Sequence, residues 1–301
     1  MEINENSTAL RKKLLAAAIF MLLGLLTATV TTFAWYIYHT SGNTIEVQLT
    51  AGSSASLQIS NQVDGEYGTS TSLRVGNDDK PVALSPVSTD WIDTSAVDGG
   101  FQAVETFIDG DADRAYSLAS VFGKADTADF YHTQLFLRTS YSGSLPIYVS
   151  QIGESGTGEK LAKALRVGLV VEGGGQFFFE LDSTPGTTGK YNTEKGYHSD
   201  GSYHGEVLKH DPKDGENGEV VTITTYDQDN MCVYDRDTGK VSLKSGSVKI
   251  CDISGNEGNF GDPKKIDVYV WLEGCDPDCY EDIRGEKFEN LSISFAGYQG
   301  S

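Results

Sequence analysis

The stretch Ile266-Asp267-Val268-Tyr269-Val270-Trp271-Leu272 decides the fold class. Successive side chains of an extended strand point to opposite faces. Ile266, Val268, Val270 and Leu272 therefore share one face, and Tyr269 and Trp271 share the other. A strand apolar on both faces is expected to be covered on both sides.

The same period recurs outward from it. Leu291, Ile293 and Phe295 alternate with Ser292, Ser294 and Ala296, the pattern of a half-buried strand. Leu165, Val167, Leu169 and Val171 line one face of another run, Phe177 and Phe179 stand opposite Phe178, and Tyr131, Leu135 and Leu137 share a face. Further strands are expected at 45–50, 55–60, 103–108, 145–151, 220–225, 232–235, 240–243 and 248–251, most of them separated by Gly, Asp, Asn or Ser clusters. Gly is abundant at 34 residues, and Tyr (15) and Phe (13) are plentiful, which suits many turns and pleated faces. After residue 40 only Gly158 to Ala164 suggests a helical turn. The expected fold is all-β, a jelly-roll-type β-sandwich, with long connections at 61–100 and 182–219.

Leu14 to Tyr38 runs without a charge, directly after Arg11, Lys12 and Lys13. About 20 apolar residues cross a bilayer core, so this stretch is long enough to span it as one N-terminal transmembrane or signal helix. The basic flank orients it with residues 1–13 in the cytoplasm and 39–301 outside. Small residues at Thr32 and Ala34 suit a signal-peptidase site that cuts between Ala34 and Trp35. The protein is therefore expected at the cell membrane, anchored by one pass, or at the cell surface after cleavage, with the membrane as a partner through 14–38.

The formal net charge is −20. Only Glu2 and Glu5 precede or lie within the apolar run, against Arg11, Lys12 and Lys13, so the acidity belongs to the exported part. Such a surface repels nucleic acid and anionic lipid, which excludes both as partners.

Asp109, Asp111 and Asp113 have the alternate spacing by which a loop presents carboxylates to calcium, although Arg114 and Ser120 stand where an EF-hand needs Gly and an acid. No other cofactor is suggested. His198, His204 and Glu206 lie close together but match no standard zinc spacing. Cys232, Cys251, Cys275 and Cys279 allow three pairings, and export permits disulfides, so a bridge within or between Cys232/Cys251 and Cys275/Cys279 is expected. The chain has no G-x-S-x-G elbow, no HExxH and no phosphate loop, and is expected not to be an enzyme. Tyr191, Tyr197, Tyr203 and Trp91 in polar loops are candidates for a binding surface.

The junction Thr32-Phe33-Ala34-Trp35-Tyr36, after a basic segment and an apolar run, resembles that of camelysin/TasA-like exported proteins of Gram-positive bacteria. The C-terminal strands around 264–296 are similar to the ends of surface proteins from clostridial bacteria. The resemblance covers residues 11–60 and 264–296 and implies a jelly-roll sandwich, cleavage after Ala34 and, in several such proteins, fibres built by donation of an N-terminal strand. The function expected is a non-enzymatic cell-surface or extracellular-matrix protein that self-associates into fibres. The alternative is a membrane-anchored surface adhesin or carbohydrate-binding module.

Overall fold

The computed structural model describes residues 44–51, 57–74, 84–104, 106–108, 116–118, 123–155, 159–182, 205–210, 219–256, 259–276, 279 and 290–299. They all belong to one compact unit. The expected export helix at 14–38 lies outside them, and no helix among the described residues is long and apolar enough to cross a membrane.

The fold is all-β, with strands numbered here along the chain. One sheet has the order β18 (Lys249–Ile253), β10 (Leu145–Ser155), β20 (Asn290–Gly297), β1 (Thr44–Ala51), β3 (Ser70–Arg74). Its neighbours run antiparallel except β1 and β20, which are parallel across eight residues. The second sheet has the order β15 (Thr225–Tyr226), β12 (Gln176–Glu180), β11 (Leu165–Val171), β19 (Lys264–Glu273), β4 (Pro86–Ser88), β5 (Gln102–Ala103), β8 (Gly123–Lys124). It branches at β19. Residues 264–270 of that strand pair with β9 (Tyr131–Thr139), which pairs in turn with β2 (Leu57–Ser60), and Leu272 and Glu273 pair with β4. Three small hairpins complete the set: β6 (Thr106–Ile108) with β7 (Tyr116–Leu118), β13 (Glu206–Leu208) with β14 (Val220–Thr222), and β16 (Val233–Asp235) with β17 (Lys240–Ser242). One short helix, α1 (Glu159–Ala164), leads directly into β11.

The two sheets share a single core. Leu145, Ile147, Val149 and Ile152 of β10 and Leu291, Ile293 and Phe295 of β20 cluster with Val167, Leu169, Ile266, Val268, Val270 and Leu137 of the second sheet. Each such side chain, removed from water, contributes about 1.5–3 kcal/mol. A second cluster covers the opposite face of the second sheet, where Tyr269 and Trp271 pack with Val87, Ile92, Phe101, Phe130 and Phe178. Strand β19 is thus buried on both faces, as its alternation requires. Phe179 joins the first cluster and Phe178 the second, also as the alternation requires.

Gly168 in β11 marks where the second layer presses closest. A Cβ there would lie 2.8 Å from Ile92 Cδ1 and 3.0 Å from Trp271 Cζ3. Only a residue without a side chain lets the covering layer seat so near the sheet.

Several boundaries differ from those read in the sequence. The 145–151 run extends to Ser155, and its buried positions change phase from Leu145, Ile147 and Val149 to Ile152. A bulge between Val149 and Gln151 causes the change, because one inserted residue swaps the faces of all that follow. The 103–108 run is divided between β5 and β6. The connection at 61–100 contains β3 and β4, and that at 182–219 contains β13, so neither is a single loop. Val207 and Leu208 of β13 are buried, and Leu208 packs with Val104 and Cys275 in a small third cluster.

The face assignments have a direct check. Val270→Asp places an unpaired charge in the shared core and is expected to cost about 4 kcal/mol or more, whereas Ser292→Asp, at the half-buried start of a face whose Ser294 and Ala296 are buried, is expected to cost about 2 kcal/mol or less. Urea denaturation of both variants measures the difference, and equal losses would show the faces to be wrongly assigned.

Candidate functional site

Most of the residues that the sequence singles out fall outside the described ones. These are Ala34 and Trp35 of the cleavage junction, Asp109, Asp111 and Asp113, His198 and His204, and Tyr191, Tyr197 and Tyr203. Glu206 lies in β13. Trp91 and the four cysteines are placed.

No disulfide joins Cys232, Cys251, Cys275 and Cys279 in the structure. Cys275 belongs to the small cluster with Val104 and Leu208, whereas Cys279 joins the main core. Burial pushes the Cys232 thiol up to about 11 and the Cys251 thiol up to about 12. Burial, with the Glu273 charge adding to it, pushes Cys275 well above its ordinary value. Thiols held this way are poor nucleophiles and poor metal ligands. Among the described residues no group of three or more His, Cys, Asp or Glu side chains could hold a metal ion.

Where β19 ends, four ionisable side chains are buried together. Arg166 of β11 donates through Nη2 to Asp276 Oδ2 at 2.6 Å and lies 3.7 Å from Glu180 Oε1. Its Nη1 caps the carbonyls of Lys163 (2.9 Å) and Leu165 (3.2 Å) at the end of α1. Glu180 accepts from the Gly205 N–H at 3.2 Å and from Thr225 Oγ1 at 2.8 Å. Glu273 accepts from Trp271 Nε1 and from the Cys275 N–H, each at 3.0 Å. Burial raises its pKa; the hydrogen bonds and Arg166 oppose that shift. Ser88 Oγ accepts from the Leu208 N–H at 2.8 Å, and Cys275 Sγ lies 3.5 Å away. The network joins β4, β11, β12, β13, β15 and the turn after β19. Buried and mutually paired, its groups hold elements together.

On the outer face of the second sheet, Asp267 accepts from Gln134 Nε2 (3.0 Å) and pairs with His132 Nε2 (2.9 Å) and Lys265 Nζ (3.1 Å). Burial works to raise its pKa, but hydrogen bonds from His132, Lys265 and Gln134 outweigh it and hold the carboxyl below its usual range. The His132 ring stacks on Tyr269 with centroids 4.3 Å apart. Burial pushes the Tyr269 hydroxyl up to about 12, and Asp267 and Asp93 add to the shift.

The most accessible chemistry lies on the 89–100 loop that follows β4. Ile92 is buried in the outer cluster, and its backbone is gripped at both ends by Gln176: the Ile92 N–H donates to Oε1 at 2.9 Å and its carbonyl accepts from Nε2 at 2.7 Å. Thr89 Oγ1 accepts from the Trp91 N–H (3.2 Å) and reaches the carbonyls of Trp91 (2.8 Å) and Gly100 (3.2 Å). The Asp93 N–H donates to the Gly99 carbonyl at 2.9 Å, closing the loop on itself. Gly99 and Gly100, at φ 64° and 75°, take the left-handed conformations that let the chain return to β5. On this braced loop the Trp91 side chain stands out, with the residue 54% exposed. Asp90 Oδ1 beside it accepts from the His210 N–H (2.6 Å) and pairs with His210 Nδ1 (2.7 Å).

No family model matches the chain, and no curated protein or solved structure gave a significant match.

Sequence reasoning named Trp91 but missed the buried charges and the two His–Asp pairs. Asp267 was legible: it is the charged position on the face that carries Tyr269 and Trp271. The Arg166 partners lie 14 and 110 residues away, and no local pattern points to them.

Two measurements test the network. Arg166→Ala leaves the carboxylates of Asp276 and Glu180 without their cation and is expected to cost about 3–5 kcal/mol in urea denaturation, while a volume-matched Arg166→Met paired with Asp276→Leu is expected to cost much less. Glu273, with its folded pKa raised, holds a proton more tightly than the unfolded chain does. Its contribution to stability is full below its ordinary value of 4.5 and is lost as pH rises through the folded value. Glu273→Gln is therefore expected to flatten the fall of Tm with pH between 4.5 and the raised folded value; an unchanged slope would assign the pH dependence elsewhere.

Proposed function

We propose that this chain is a non-enzymatic, exported protein of the cell surface or extracellular matrix, a subunit that assembles by passing strand β1 to the next copy. In this reading residues 14–38 deliver the chain to the membrane, cleavage after Ala34 releases it, and the two-sheet body is a jelly-roll-type sandwich. The resemblance of the export junction to camelysin/TasA-like proteins points the same way.

The observation that carries the proposal is the place of β1. It lies parallel to β20 along its whole length, with Ile45, Val47 and Leu49 in register with Leu291, Ile293 and Phe295. Its other edge supplies the only sheet neighbour of β3 among the described residues. Removal of β1 would open an eight-residue edge on β20 above fully buried core side chains, a slot that fits β1 of another copy as well as its own. Such an exchange remakes identical contacts, so its balance is set by concentration and by the connection after residue 51. An anchored adhesin is the second reading, and the exposed Trp91 favours it.

A reversible lock tests strand exchange. Glu46 and Ser292 are cross-strand partners, and paired strands lie about 4.8 Å apart, within disulfide reach. Protein beginning at Trp35 is expected to form fibres as concentration rises, seen by sedimentation and negative-stain microscopy. The Glu46→Cys/Ser292→Cys variant is expected to stay monomeric when oxidised and to assemble after reduction. Unlocked protein that remains monomeric at high concentration, with and without calcium, would overturn the proposal, as would equal assembly of the locked form.

A further inference from the structure

We propose that the 89–100 loop carries a binding site for neutral polysaccharide, with Trp91 as the stacking platform and Asp90, Asp93 and His210 as its hydrogen-bonding rim. The inference is independent of strand exchange, since the loop follows β4 and touches neither β1 nor β20 in sequence or pairing.

Four observations carry it. First, exposing an indole to water is unfavourable, and among the described residues Trp91 is the one aromatic side chain found largely exposed. Its loop is fixed by Thr89, by the two-point grip of Gln176 and by the turn from Asp93 to Gly99, so the ring is held out without help from a ligand. A binding surface prepared in this way loses little entropy on contact.

Second, the groups around the ring retain hydrogen-bonding capacity. Asp90 uses Oδ1 for both contacts with His210, which leaves Oδ2 as an acceptor, and His210 engages through Nδ1, which leaves Nε2. Asp93 uses Oδ1 for the N–H and hydroxyl of Ser95, which leaves its Oδ2. Asp90 and Asp93 flank Trp91 in sequence, and the hydrogen bonds from His210 to Asp90 bring the imidazole to the same loop.

Third, the charge selects the ligand. With Asp90, Asp93 and Asp98 on one loop of a chain carrying a net −20, a polyanion is repelled. The apolar C–H face of a pyranose ring suits an indole, and sugar hydroxyls are donors that suit carboxylate oxygens. Fourth, among the described residues the loop offers little apolar surface to a protein partner. Val97, 85% exposed, is the only other large apolar side chain exposed on this loop, whereas a stable protein interface buries about 800 Å² on each side around an apolar centre.

The test is affinity electrophoresis of the full chain in a polyoxyethylene detergent, through gels containing a soluble mixed-linkage β-glucan, a galactomannan, alginate or chitosan. Retardation by at least one of the two neutral polymers is expected, together with a shift of tryptophan emission that Trp91→Ala abolishes, since Trp35 and the buried Trp271 are both retained in that variant. Trp91→Ala is expected to weaken binding about ten-fold or more without lowering Tm, and Trp91→Tyr to restore some of it. No retardation by either neutral polymer overturns the proposal. So does binding to chitosan alone that salt abolishes, which would be charge attraction. Equal retardation of wild type and Trp91→Ala overturns it too, and a Trp91 effect confined to sedimentation would make the loop a protein contact instead.

Discussion

Everything in the described unit leans on the double burial of β19. One face of this strand closes the core between the sheets, and the other anchors the aromatic layer of Phe101, Phe130, Phe178 and Ile92. Its edges are as heavily used: β11 runs along one, and β9 and then β4 share the other. A strand in that position has no solvent-facing side on which to tolerate a misfit. The short β5 and β8 sit at the far end of the second sheet, where irregularity costs less.

Where β19 stops, apolar packing gives way to charge. The end of the strand, the turn through Asp276, the end of α1 and the 205 turn all present backbone groups that a sheet ladder cannot satisfy. Arg166, Glu180 and Glu273 satisfy them from the side, each with more than one partner. A buried ion network of this kind adds little net stability over an apolar equivalent, yet it penalises any arrangement that separates its members. Its contribution is to fix how β13 and the loop after β19 dock on the second sheet.

Strand identity was legible because burial in a sheet follows a period of two, and β11, β12, β19 and β20 are long enough to display it. What local sequence could not convey is how those strands meet. The parallel pairing of β1 with β20 joins residues 246 positions apart (290 minus 44), and no pattern within either segment specifies it. The phase change in β10 leaves a trace in the two consecutive polar residues Ser150 and Gln151 between Val149 and Ile152, but the expected strand stops at residue 151, short of the new phase. Arg166 read as a lone charge in an apolar run until Glu180 and Asp276 were brought to it. Trp91 is the one binding candidate that falls among the described residues, and its exposure depends on how Gln176 and Thr89 brace the loop, which its neighbours in sequence do not reveal.

The parallel pair of β1 and β20 also determines how the protein would answer to tension. Because the strands run the same way, a pull on residue 44 against residue 299 drags them past each other along their own axes. Hydrogen bonds along all eight paired residues then resist together, whereas antiparallel partners pulled from the same end unzip, losing their bonds in succession. A chain held at its N-terminal side and loaded through β20 would therefore yield abruptly and only at high force. If β1 sits in a neighbouring copy, the same shear geometry lies between subunits, and a filament built this way would resist stretching at every joint.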